Sequence, residues 1–249
     1  MNLFRVRGIQ LAVHFSFFLL LGYTAWMGWR EERAAGMIWY SLLLVACFTC
    51  VVLHELGHSL TARKFGVGVR RILLLPIGGM AEFDSLPRQP RSELLITAAG
   101  PAVNFVLAGV LWLLLPPAPV EEAVTLNVLE FGHVLLLWNL LMGAFNLLPA
   151  FPMDGGRILR ALLVLRWDYL TATFWAATVG KVVAALGIGA AFFFGQPLLA
   201  VLFGFIIFVG ELEYRTVKRR LAFEHERADW PFVPPRIAPE AEPPPLFRP

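Results

Sequence analysis

Cys50-Val51-Val52-Leu53-His54-Glu55-Leu56-Gly57-His58-Ser59-Leu60 decides how this chain reads, because it writes two histidines and a glutamate into a segment apolar enough to cross a membrane. Residues four apart lie about one turn from each other on one helix face, so His54 and His58 can offer both imidazoles to a single Zn2+ with Glu55 beside it. A zinc ion held by three protein ligands keeps a fourth position for water. It lowers the pKa of that water to roughly 7 and lets a nearby carboxylate take the proton during attack on a carbonyl. Glu55 is the candidate base. Two ordinary core histidines are the plain alternative, but in an apolar helix His54, Glu55 and His58 would each carry a desolvation cost with nothing to offset it.

Composition agrees with a membrane setting. Of 249 residues, 58% are hydrophobic and only 16% charged, and the mean hydropathy of +0.67 is far above that of a soluble domain. The apolar residues come in runs of about 20, enough helix at 1.5 Å per residue to cross a hydrocarbon core of roughly 30 Å. Lipid offers no partner to unpaired backbone groups, so such open-ended runs must be helical. The net charge of +3 and pI near 9.1 do not point to nucleic acid, because the basic residues are scattered at helix ends instead of gathered on one face. Cys47 and Cys50 are the only cysteines and precede the histidine pair on the same helix, which excludes a disulfide framework. Cys50 reads either as a further zinc ligand or, the commoner use, as a small buried thiol.

Six spans are expected: Ile9 to Trp29, Ile38 to Leu60, Leu94 to Leu115, Leu126 to Leu148, Leu170 to Phe194 and Leu198 to Tyr214. Between the second and third, Val67 to Leu75 is β-branched and apolar, and Pro76 to Phe83 carries turn residues followed by alternation, the pattern of a short hairpin. The fold class is therefore an all-α integral membrane protein of about six transmembrane helices, with a small membrane-associated β-hairpin between helices two and three. Residues 1–220 are expected to form the polytopic membrane domain, and 221–249 a proline-rich, disordered cytoplasmic tail. Positive charge orients the whole. Arg5 and Arg7, the six basic residues from Arg63 to Arg91, Arg157, Arg160 and Arg166, and those from Arg215 to Arg220 all fall on one side. The other side carries only Arg30 and Arg33, balanced by Glu31 and Glu32. The positive-inside rule makes the basic side cytoplasmic, with both termini, in a multi-pass cell-membrane protein.

Two histidines do not complete a catalytic zinc site. The best third ligand is Asp154, in Asn146-Leu147-Leu148-Pro149-Ala150-Phe151-Pro152-Met153-Asp154-Gly155-Gly156, where prolines and glycines break the helix beside a carboxylate. On its own Asp154 reads equally well as the N-cap of a following helix. Asn104 and Asn146 fall at the same inner depth. A neutral amide there can donate to an oxyanion or hold a substrate strand, or it can join two packed helices. His14 reads best as a helix-contact histidine, and Glu130 with His133 falls near the opposite face as interfacial polar packing. Lys181 is a buried cation with no assigned role.

The combined pattern resembles the site-2 protease family of intramembrane zinc metalloproteases. His54-Glu55-Leu56-Gly57-His58, Gly100-Pro101-x-x-Asn104 and Asn146-x-x-Pro149-x-x-Pro152-x-Asp154-Gly155 match its three motifs in order. The opening Gly8 to His14 and the Gly78-Gly79 hairpin are similar to it as well. The resemblance implies one Zn2+ per chain on His54, His58 and Asp154, with Glu55 as the base of peptide-bond hydrolysis within the membrane. It also implies a single-span membrane protein as substrate, often a tethered regulator already trimmed by another protease, with a homo-oligomer or a regulatory membrane partner left open. Two departures stand out. Met153 replaces the Leu common before the aspartate, a volume-conserving change. The appended sensor or inserted substrate-filter domains of many relatives are not expected in this chain. An extended substrate could add to a strand edge in Ile72 to Phe83. The rivals are a zinc transporter, which needs a polar path across both membrane halves, and a non-catalytic membrane binding protein, which would typically lack Glu55 or a ligand.

Overall fold

The computed structural model describes residues 1–76, 78–84, 89–117 and 128–228. Two strands precede the first helix: β1 (Asn2–Val6) and β2 (Ile9–Val13) pair antiparallel, with Val6 opposite Ile9. Arg7 and Gly8 between them have φ of 48° and 84°, the geometry of the two-residue turn whose twist matches its flanking strands. The expected first span is corrected here. Its opening residues are strand, and α1 (Phe15–Lys64) begins only after His14, which is no helix-contact residue but the N-cap, accepting the Ser16 N–H at 3.3 Å.

The helix α1 folds back at Glu32 and Arg33, whose backbones leave the helical region. Phe17 meets Phe48 edge-on with ring centroids 4.8 Å apart, and a Cβ on Gly36 would lie 2.3 Å from the Gly28 carbonyl oxygen. Both contacts are centred on the same bend, so α1 is two antiparallel apolar arms, the expected spans one and two. With α2 (Pro90–Leu114), α3 (Val128–Asn146), α5 (Tyr169–Phe193) and α6 (Pro197–Ala228), five helices among the described residues are long and apolar enough to cross a membrane, one of them doubled. Their outward faces are apolar: Trp112 and Leu186 are each 71% exposed and Val201 69%, the reverse of a soluble fold and the arrangement lipid requires. The short α4 (Asp154–Leu163) links α3 to α5. The helix α6 runs past residue 220, and residues 229–249 of the expected tail lie outside the described residues.

The expected hairpin is present as β3 (Val69–Leu75) and β4 (Gly78–Phe83), but it is half of a larger sheet. Strand β2 joins β3 in parallel, with Leu11 opposite Ile72, giving the order β1-β2-β3-β4. Leu11, Val13 and Leu74 pack on Phe17, Phe48 and Val51, which seats the sheet against both arms of α1. Strand β3 is thereby interior, and β4 is an edge.

Candidate metal centre

The ligand cluster is assembled by three helices that approach closely because small residues face one another. A Cβ on Gly57 would lie 2.7 Å from the Ala99 carbonyl oxygen, so α1 and α2 cross nearly in backbone contact. At the next residue, a Cβ on Gly100 would lie 2.2 Å from His58 Nε2, so only glycine leaves room for the imidazoles. Pro101 removes a helical N–H from α2 at this level. From the other side the chain leaving α3 turns so tightly that a Cβ on Gly155 would lie 2.2 Å from the Leu148 carbonyl oxygen, and this turn delivers Asp154 to the histidines. Asp154 is the first residue of α4, whose N-cap is Met153.

The side chains meet as the motif spacing implies. His54 Nε2 lies 3.1 Å from His58 Nε2, and Asp154 Oδ2 lies 3.3 and 3.2 Å from these two nitrogens. Donors around a tetrahedral zinc with bonds of roughly 2.0–2.1 Å stand about 3.3 Å apart, so the spacing suits that ion. The hydrogen-bond network fixes which nitrogens are free. Leu135 O can only accept, so it takes the Asn139 Nδ2 donor at 2.8 Å, which turns Asn139 Oδ1 toward Asn104 Nδ2 at 2.9 Å. Asn104 Oδ1 then faces His54 Nδ1 at 2.6 Å, and that nitrogen must donate. His58 Nδ1 likewise donates to Ile96 O at 2.8 Å. Each Nε2 is thus left with a lone pair, aimed at the other and at a carboxylate. Three electron-rich atoms so placed repel unless a cation lies among them, and the donor set of two imidazoles and one carboxylate fits zinc with a position open.

Glu55 lies beside this cluster, with its Cγ 2.6 Å from where a Cβ on Gly79 of β4 would sit. A cavity of about 760 Å3 opens there, lined by His54, Glu55, His58, Asp154, Asn146 and Gly79 among others. Asn146 faces this space while its Nδ2 donates to Met142 O at 3.0 Å. Asn104 does not: it is fully buried behind His54, so the expectation that it touches substrate or an oxyanion is corrected to one of orienting a ligand. Asn139, equally buried, is a further member of the site that the sequence analysis does not single out, although as an amide in an apolar span it carries the same signal as Asn104. Cys50 Sγ is held by Asn139 Nδ2 at 3.3 Å and is no ligand. His133 bonds Leu129 O and Pro116 O, joining the start of α3 to the end of α2. Lys181 is paired with Glu211 at 2.5 Å.

The model of Peptidase family M50 matches residues 42–125 and 117–190, which hold all three motifs. A relative, "Zinc metalloprotease MJ0392" of Methanocaldococcus jannaschii, is 38% identical over 91% of this chain and 64% of its own length. "Stage IV sporulation protein FB" of Bacillus subtilis is 31% identical over 51% of this chain and 42% of its own. The chain thus spans less than two thirds of the length of these relatives. The solved "Site-2 Protease from Methanocaldococcus jannaschii" superposes with a TM-score of 0.60 at 37% identity, over 86% of this chain and 94% of that one. The metal centre, the order of the motifs and these matches agree: this chain belongs to Peptidase family M50, as its likeness to the site-2 proteases implied.

Proposed function

We propose that this chain is an intramembrane zinc metalloendopeptidase that hydrolyses a peptide bond in or near the transmembrane segment of a single-span membrane protein. The observation that carries the reading is the set of three inward-facing donors, two of them locked in tautomer from behind, with the carboxylate of Glu55 on the same cavity.

A zinc ion held by His54, His58 and Asp154 supplies polarisation of the scissile carbonyl and acidification of water. Glu55 takes the proton as the water oxygen bonds to the carbonyl carbon, then passes it to the amine nitrogen as the C–N bond breaks. Asn146, on the same cavity, steadies the substrate backbone. A helical substrate hides its carbonyls in internal hydrogen bonds and must present them extended. The edge strand β4, which passes against Glu55 at Gly79, offers unpaired backbone groups for that purpose, whereas β3 is paired on both sides. The excess of Lys and Arg at the ends of the spans near the site supports a cytoplasmic placement of both termini and an active centre in the inner half of the membrane.

The test is cleavage of a single-span reporter by purified wild type and Glu55→Gln in detergent, with zinc measured in both. Zinc in both and a loss of at least about 100-fold in cleavage by the variant is the expected outcome. Cleavage by the variant at the wild-type rate would remove Glu55 as base.

A further inference from the structure

A second cavity, of about 660 Å3, adjoins the first and differs from it in being strongly charged. Four arginines line it: Arg70, Arg157, Arg160 and Arg220. Three of them are matched. Arg70 bonds Asp84 at 2.6 Å, Arg160 bonds Glu213 at 2.9 Å and Arg220 lies 3.4 Å from Glu224. The cavity's remaining acid, Glu82, is held by Arg71 at 2.7 Å. Arg157 alone of the four has no ion pair or hydrogen bond among the described residues, and every acid lining the cavity is already engaged. A half-buried guanidinium without an anion is costly to keep beside a membrane and is suited to receive one.

Its position says what it would receive. Arg157, Ala81 and Phe83 line both cavities, so the guanidinium stands where the two meet along β4. It follows Asp154 by three residues on α4, which puts both on one face about 4.5 Å apart along the axis. A strand laid on β4 advances about 3.3 Å per residue with like-facing side chains every second residue. With the reach of the arginine side chain added to that offset, a side chain within about four residues of the bond at the metal centre would pass Arg157. We propose that Arg157 reads a carboxylate side chain, Asp or Glu, at such a position of the substrate and so determines which membrane proteins are cut, an inference that rests on substrate lying along β4.

The experiment uses the full chain in bicelles and a single-span reporter that the wild type cuts. Glu, Gln or Lys is placed in turn at each of four positions on either side of the scissile bond, and zinc content is measured throughout. At one position the wild type should favour Glu over Gln by about tenfold or more in kcat/KM, the worth of one charge-assisted hydrogen bond. That ratio should fall to about one in Arg157→Ala, survive in part in Arg157→Lys, and give way to a preference for Lys at the same position in Arg157→Glu. Because the readout is a ratio between two substrates, a merely weakened protein leaves it unchanged. A wild type with no preference at any position, or a ratio untouched by Arg157→Ala, would overturn the proposal. So would losses that are equal for all substrates and vanish without anionic phospholipid, which would give Arg157 to a lipid phosphate. Met80→Pro and Ala81→Pro separate the two readings, since N–H groups alternate along an edge strand and one of these removes a donor facing substrate. If neither impairs cleavage while the Glu preference still follows Arg157, the seating on β4 fails and the charge recognition stands on its own.

Discussion

Two buried polar clusters tie α2 to α4, and they are built on opposite principles. In the first, Asn104 of α2 and Asp154 of α4 meet the histidines of α1, and the two imidazole nitrogens and the carboxylate oxygen face one another with no cationic side chain between them among the described residues. In the second, Glu93 of α2 and Arg160 of α4 meet Glu213 of α6 with the cation built in: Arg160 Nε lies 2.9 Å from Glu93 Oε1, and its Nη1 lies 2.9 Å from Glu213 Oε1. The guanidinium is also stacked near Tyr169 and Phe151, with ring centroids at 5.0 and 5.3 Å. Arg160 and Glu93 are 3% and 2% exposed, as deeply enclosed as His54 at 3%. Burial therefore does not tell the two apart. What does is whether a cationic side chain stands among the acceptors: Arg160 lies between Glu93 and Glu213, whereas among the described residues none lies between His54, His58 and Asp154.

The comparison breaks most sharply at Arg160. Arg160→Met removes the guanidinium between two carboxylates and leaves Glu93 buried without its partner, a loss of about 3–5 kcal/mol. Thermal unfolding in detergent should fall accordingly, while zinc bound per folded molecule stays at the wild-type level. Glu93→Leu combined with Arg160→Met should lose less than Arg160→Met alone, because it takes the stranded charge away with its partner. A double variant no more stable than the single would mean that Glu93 does more than answer Arg160.

The open cluster should answer in the other observable. Asn104→Leu frees His54 Nδ1 from its acceptor and with it the choice of tautomer, which should weaken zinc by about 10–100-fold in competition with a chelator. Asn139 Oδ1 loses its donor as well, so Tm in saturating zinc should also fall, by less than in Arg160→Met. Asn139→Leu acts one bond further back, through the orientation of Asn104, and should cost less than Asn104→Leu. Unchanged affinity in both would show that the relay from Leu135 O does not set the ligand nitrogen.

The open cluster was the more legible of the two in the sequence, and the reason is physical. His54, Glu55, His58 and Asp154 are polar groups where hydropathy forbids them, and each stands out against its neighbours. Glu93, Arg160 and Glu213 fall near the ends of the expected spans, among many other charges, so nothing in the order of residues says which of them pair. The strand β2 was hidden for a different reason. A buried strand and a buried helix share an unbroken apolar run, and only the Arg7-Gly8 turn and the parallel partner β3 distinguish them. The bend in α1 is legible as a break between two spans, because Arg30, Glu31, Glu32 and Arg33 interrupt the apolar pattern there.

A smaller effect sharpens the same contrast at two aspartates that each open a helix. Asp168 is the N-cap of α5 and accepts the Thr171 N–H at 2.9 Å, so its charge is answered by its own helix. Asp154 opens α4 without making a cap bond, and its Oδ2 is turned to the histidines instead. Hydrogen bonds from the Thr171 hydroxyl and N–H hold the Asp168 carboxyl below the usual carboxylate range. A depressed folded value means that its contribution is complete above the unfolded value near 3.9 and is lost as the pH falls through the lower folded one. Asp168→Ala should therefore lower Tm slightly, by the same amount at pH 8 as at pH 6, and the gap to wild type should close only below about pH 4. Zinc content should not move. Asp154→Asn should do the reverse, losing zinc while α4 keeps its start, because the carboxylate that opens that helix was never bonded to it.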